Sequence, residues 1–113
     1  MNRRGEAAEL LAAAFLRARG LAITERNYRC RFGEIDLIAR EGRTIVFVEV
    51  RQRRSEAFGG AAESITAAKR MRLVAAARHY LARNRGVPPC RFDAVLIRGE
   101  PPRIEWIRNA FGE

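Results

Sequence analysis

The chain has 113 residues, 48% of them hydrophobic and 31% charged, which suits one domain (1–113) with a single core and no need of disulfides. Twenty-two basic residues against 13 acidic ones give a net charge of +9, so a polyanion is the favoured partner, with a phosphate backbone the usual one. No apolar run reaches the length of a membrane span, and Met1 to Glu6 lead straight into a charged helix without an apolar signal core; a cytoplasmic protein with no membrane partner is expected.

Taken in chain order, Arg3 to Arg19 reads as a helix, with Leu11, Ala14, Phe15 and Ala18 at core-face spacing and Gly20 as its stop. Leu21 to Arg31 reads as a strand, and Gly33 marks the break after it. Glu34 to Arg40 and Thr44 to Arg51 form two more strands, joined by a tight turn at Glu41-Gly42. A loop rich in small residues, Arg53 to Glu63, leads to a helix from Thr66 to Asn84 whose inner stripe is Leu73, Ala76, Ala77, Tyr80 and Leu81. Arg91 to Arg98 is a fourth strand, and Arg103 to Ile107 a last strand at the sheet edge. The order αβββαββ implies an α/β architecture, a mixed β-sheet flanked by helices. Cys30 and Cys90 lack metal-ligand spacing and read as buried thiols.

The hairpin carries the chemistry. With the turn at Glu41-Gly42, Arg40 faces Arg43, Asp36 lies opposite Phe47 and Glu34 opposite Glu49. Asp36 and Glu49 are then diagonal neighbours on one face, near enough to share a divalent cation. Ile35, Leu37, Ala39, Val46, Val48 and Val50 make the opposite, apolar face. Carboxylates gathered this way repel unless a cation lies between them, and oxygen ligands suit Mg²⁺ or Mn²⁺. Spacing alone leaves a second reading open, a surface hairpin whose acids pair with arginines.

Gly33-Glu34-Ile35-Asp36-Leu37-Ile38-Ala39, Val46-Phe47-Val48-Glu49-Val50-Arg51-Gln52-Arg53 and Arg91-Phe92-Asp93 resemble the signatures of the YraN family. That family is similar to archaeal Holliday-junction resolvases and belongs with the PD-(D/E)xK restriction-endonuclease-like fold. The resemblance implies a three-layer core in which Asp36 and Glu49 bind the metal and an acid of the first helix, Glu6, completes the site. A dipole-favoured acid at a helix start is the other reading of Glu6. The usual lysine of the third motif position is Arg51 here. Arginine can neutralise a phosphate but is never a base at physiological pH.

Lys69 is the only lysine among the basic residues, and it falls in the first turn of the second long helix, after the capping Thr66. A phosphate contact and an ordinary surface lysine are both open there. Arg53 shares the face of Glu49 and Arg51, and Ser55, with Gly59 and Gly60, follows in the loop; Arg51, Arg53, Ser55 and Lys69 are the candidate nucleic-acid contacts. Asp93 reads as an ion-pair partner for an arginine, and His79, without ligand-spaced neighbours, as structural.

The expected function is Mg²⁺- or Mn²⁺-dependent hydrolysis of branched, flapped or single-stranded DNA, with RNA within the same chemistry and a homodimer as the assembly. A non-catalytic nucleic-acid-binding protein on a nuclease fold is the first alternative, favoured by Arg51. An assembly factor that presents its basic face to an acidic partner is the second.

Overall fold

A computed structural model of the chain describes residues 3–53, 66–83, 86 and 88–111. Its elements run in the expected order: α1 (Arg3–Ala18), β1 (Ala22–Cys30), β2 (Gly33–Glu41), β3 (Thr44–Arg53), α2 (Ala67–Leu81), β4 (Cys90–Arg98) and β5 (Arg103–Phe111). The five strands form one sheet in the order β1-β2-β3-β4-β5. All neighbours are antiparallel except β3 and β4, which the α2 crossover makes parallel. The two helices cover opposite faces, giving an α/β three-layer arrangement consistent with a restriction-endonuclease-like core. Among the described residues, no helix is long and apolar enough to cross a membrane.

One face packs under α2. Ile38, Ile45 and Phe47 of the hairpin meet Leu73, Ala76 and Ala77 there, joined by Phe92, Ala94 and Leu96 from β4. The other packs under α1, where Leu37, Ala39, Val46 and Val48 meet Ala8, Ala12, Ala13 and Leu16. The α2 stripe is as the periodicity predicts, with Tyr80 and Leu81 packed at its margin. The α1 stripe is not. Ala8, Ala12 and Leu16 line the sheet, while Ala14 and Ala18 are exposed and Leu11 is 37% exposed. At 3.6 residues per turn the true face lies roughly 140° around the helix from the expected one. A helix made mostly of alanine and leucine offers several apolar stripes, and α1 uses the one with small side chains, which lets it sit close to the sheet. Burying Leu16 completely contributes about 1.5–3 kcal/mol to that docking.

The hairpin register also differs from expectation. Glu41 pairs with Thr44, Ile38 with Phe47 and Leu37 with Val48, so the turn residues are Gly42 and Arg43. Gly42 has φ +61°, and glycine at the first central position suits a two-residue hairpin loop whose twist matches its strands. Moving the turn by one residue shifts the pairing by two, which keeps every side chain on its face but changes which ones meet. Ile35 is the exception: it joins Tyr28 on the α2 side rather than Leu37 on the α1 side. The alternation of β2 therefore breaks at Asp36, opposite Asn27, whose φ is +54°.

β5 continues to Phe111, four residues beyond its expected end, and it is an edge strand. Fully buried Asp93 holds it in place. Its carboxylate accepts from Arg91 Nε at 3.0 Å, Trp106 Nε1 at 2.8 Å and the Asn109 backbone N–H at 2.8 Å. The expected arginine partner of Asp93 is thus Arg91. The cysteines do not form a disulfide, as expected, but Cys30 is half-buried and Cys90 exposed, because β4 starts at the rim of the sheet.

Gly33 sets how closely α2 approaches β2. A Cβ there would lie 3.2 Å from the Arg72 carbonyl oxygen and 3.3 Å from Arg72 Cβ, both parts of α2 that cannot swing away. Gly33→Ala is expected to lower stability in urea unfolding by about 1–3 kcal/mol, the usual cost of overpacking. A loss below about 0.5 kcal/mol would show that the helix can retreat freely.

Candidate active site

The site lies toward the start of β2 and the end of β3, on the carboxyl side of the parallel β3–β4 pair. The β2–β3 pairing ends at Leu37 and Val48, and Asp36 and Glu49 are the next residue of each strand beyond that last pair. Here the ladder gives way to side-chain bonding: the Val50 backbone N–H donates to Asp36 Oδ2 at 2.9 Å. Glu49 is 2% exposed. The Asp36 and Glu49 carboxyl groups are near enough to interact directly, so a proton held on Asp36 relieves the repulsion between them.

Burial and the neighbouring Glu49 carboxylate push the Asp36 carboxyl up to about 8, against a smaller opposing effect of the Val50 N–H. The Glu9 charge adds to the rise. Glu9 is an acid that the first helix contributes. It is 7% exposed and lies close to the side chains of Asn27 and Asp36. Burial raises its own affinity for a proton, with Asn27 opposing. Its Oε1 is buried without a hydrogen-bond partner among the described residues.

The expected first-helix residue, Glu6, is exposed and lines the same cavity as Glu9. Glu9 shares the sheet-facing stripe with Ala8, Ala12 and Leu16, so the first helix adds a second, buried acid not expected from the sequence. An acid on a stripe of alanines was the available signal, since carboxylates are rarely buried without a partner.

Two cations face Glu49. Lys69 Nζ stands 2.7 Å from Glu49 Oε2 and Arg51 Nε 3.2 Å from the same oxygen. Both are close ion pairs whose angles fall outside hydrogen-bonding geometry. Lys69 is carried there by the first turn of α2, where Thr66 Oγ1 caps its backbone N–H at 3.2 Å. With one proton on Asp36, the two remaining carboxylates are matched by two cations. This near-neutral balance lets so many ionisable groups share a buried site.

A cavity of about 1010 Å³ opens over this cluster, reaching from Glu6 and Glu9 to Arg26, Arg53 and Glu100. A second of about 350 Å³ continues on the α2 side past Arg29, Lys69 and Arg72, and both share Asp36 and Glu49. Arg53 is exposed on the wall of the larger one. Ser55, Gly59 and Gly60 lie outside the described residues. His79 is far from ligand work: its Nδ1 is 2.6 Å from the Tyr28 hydroxyl, which ties α2 to β1.

The fold keeps Asp36 protonated at pH values where the unfolded chain has released its proton. Its contribution to stability is therefore fully present below about pH 4 and lost as pH rises through about 8. Asp36→Asn, which carries no titrating group, should gain on the parent protein as pH rises. The expected melting-temperature gap at pH 9 is at least about 4 °C more in the variant's favour than at pH 5. A gap independent of pH would contradict a proton held on Asp36.

The family model described as "Uncharacterised protein family UPF0102" matches residues 8–97. A UPF0102 protein of Nitrosomonas europaea is 65% identical over 111 residues, covering 97% of this chain and 94% of the relative. Others from Nitrosomonas eutropha and Methylobacillus flagellatus are 59% and 54% identical, each covering at least 97% of this chain and 94% of its own length. The chain belongs to the uncharacterised protein family UPF0102.

Proposed function

We propose that this protein is a metal-dependent nuclease that hydrolyses phosphodiester bonds in DNA, acting in the cytoplasm on single-stranded, flapped or branched forms. The observation that carries this is the Asp36–Glu49 carboxyl pair, half-buried and buried respectively, with Lys69 and Arg51 on Glu49, in an arginine-rimmed cavity. The resemblance of Gly33–Ala39 and Val46–Arg53 to the YraN family and the resolvase-like nucleases points the same way. A homodimer is the assembly such relatives suggest.

The residues fit a hard divalent cation. Glu9, Asp36 and Glu49 offer oxygen donors, and the raised Asp36 marks a proton that a cation would displace. Among the described residues no three such side chains are gathered at cage spacing. Mg²⁺ does not require that, because one or two carboxylates commonly hold it while water and phosphate complete its shell. Asp36 and Glu49 would hold the ion, with Glu9 beside them. Bound there, Mg²⁺ or Mn²⁺ supplies an acidified water and a clamp on phosphate oxygens.

The chain's own groups account for the rest. Lys69 is the cation nearest Glu49, and its flexible stem lets the ammonium turn toward a phosphate. Arg51 neutralises charge developing on the same phosphate but cannot take a proton from water. Arg26, Arg29, Arg53 and Arg72 supply affinity for the backbone that falls with salt.

One observation favours the non-catalytic alternative: Glu49 already has two cationic partners, so the cluster balances its charge without a metal. Cleavage of single-stranded, flap and four-way junction DNA with Mg²⁺ or Mn²⁺ separates the two. Asp36→Asn and Glu49→Gln are each expected to cut the rate by at least about 100-fold, and Lys69→Met by about 100- to 1000-fold, the range for losing one charge-stabilising donor. Binding without cleavage, or equal rates in the parent and both carboxylate variants, would overturn the nuclease reading.

A further inference from the structure

We infer that Phe32, with Arg31, is a stacking platform for an unpaired nucleobase, so that the cavity takes a strand with exposed bases rather than closed duplex. This rests on the reading of the cavity as a nucleic-acid groove. Phe32 lies in the turn between β1 and β2 and is 40% exposed. It does not belong to either core cluster. Its ring is flanked by the Arg31 guanidinium, 4.8 Å from the centroid, and by the His79 imidazole at 5.8 Å. A phenyl ring with a guanidinium beside it is the pairing on which single-stranded bases stack, and every base has a face to offer.

Its position connects it with the acids. Gly33, the next residue, lines the smaller cavity together with Arg29, Lys69 and Arg72, and that cavity also holds Asp36 and Glu49. Four residue steps at about 3.3 Å place Phe32 roughly 13 Å from Asp36 along the chain. A strand whose phosphate sits at the carboxyl pair can therefore follow Arg29 and Arg72 and set a nearby base on Phe32. A base still paired in a duplex has no free face to offer the ring. Single-stranded segments, flaps and unpaired junction arms remain.

The discriminating measurement is binding in the presence of a chelator, which separates affinity from cleavage. A labelled single-stranded oligonucleotide carrying 2-aminopurine reports affinity by anisotropy and stacking by quenching, and a duplex of the same sequence serves as control. Phe32→Ala should weaken single-strand binding by roughly 5- to 100-fold and abolish the quenching, with duplex binding changed less than twofold. Phe32→Trp should retain both signals. Single-strand affinity unchanged in Phe32→Ala, equal losses on both substrates, or no binding by the parent protein would each overturn the platform. The outcomes separate it from the nuclease reading. Cleavage by the parent with binding indifferent to Phe32 sinks the platform alone, while Phe32-dependent binding without cleavage sinks the nuclease alone.

Discussion

Two carboxyl groups from neighbouring strands meet at the end of the sheet, and their mutual repulsion raises the affinity of Asp36 for a proton. Glu49 is buried and Asp36 half-buried beside it. That arrangement is costly for the fold, and much around it serves to offset the cost. The Val50 N–H turns from the strand ladder to Asp36, Lys69 and Arg51 close on Glu49, and Asn27 lies beside Glu9. A fold that needed only stability would do better with apolar side chains here. Strain and charge kept at one spot are what a binding or catalytic site requires.

The scaffold delivers these groups by different routes. Strand pairing sets Asp36 beside Glu49, so their relation is fixed by hydrogen bonds elsewhere in the sheet. Lys69 arrives on a separate element, and its place depends on the Thr66 cap and on the close approach of α2 at Gly33. Glu9 depends on the rotation of α1. At the opposite rim a second polar network, Glu41 with Arg91 and Arg108 and Asp93 with Trp106 and Asn109, pins the edge strand. It holds architecture, with the Asp93 carboxylate accepting three hydrogen bonds; at the carboxyl pair two cations face Glu49 instead.

The parts legible in the sequence were those governed by short-range pattern. Alternation along the hairpin places Asp36, Glu49 and Arg51 at one end, and the order of elements puts the fourth strand across the helix crossover, as the parallel pairing of β3 and β4 bears out. The solitary lysine in an arginine-rich chain was a usable sign, and Lys69 does reach Glu49. Three features escaped. The turn was set one residue early because Glu-Gly and Gly-Arg both permit a tight hairpin, and only backbone twist decides between them. The α1 face escaped because alanine marks a buried position weakly, so Glu9 on that face went unnoticed beside Glu6, which the family resemblance singles out. Ile35 was assigned to the wrong face because the break in β2 depends on Asn27, a residue from another strand in a left-handed conformation.

Calorimetric titration of Mn²⁺ into the protein near pH 7, in two buffers of different ionisation enthalpy, tests the carboxyl pair most directly. If the ion takes the place of the Asp36 proton, about one proton is released per ion bound, and affinity rises with pH up to about 8. The Asp36→Asn variant should release none. Binding without proton release, or no binding at any pH, would contradict a metal centre built on Asp36 and Glu49.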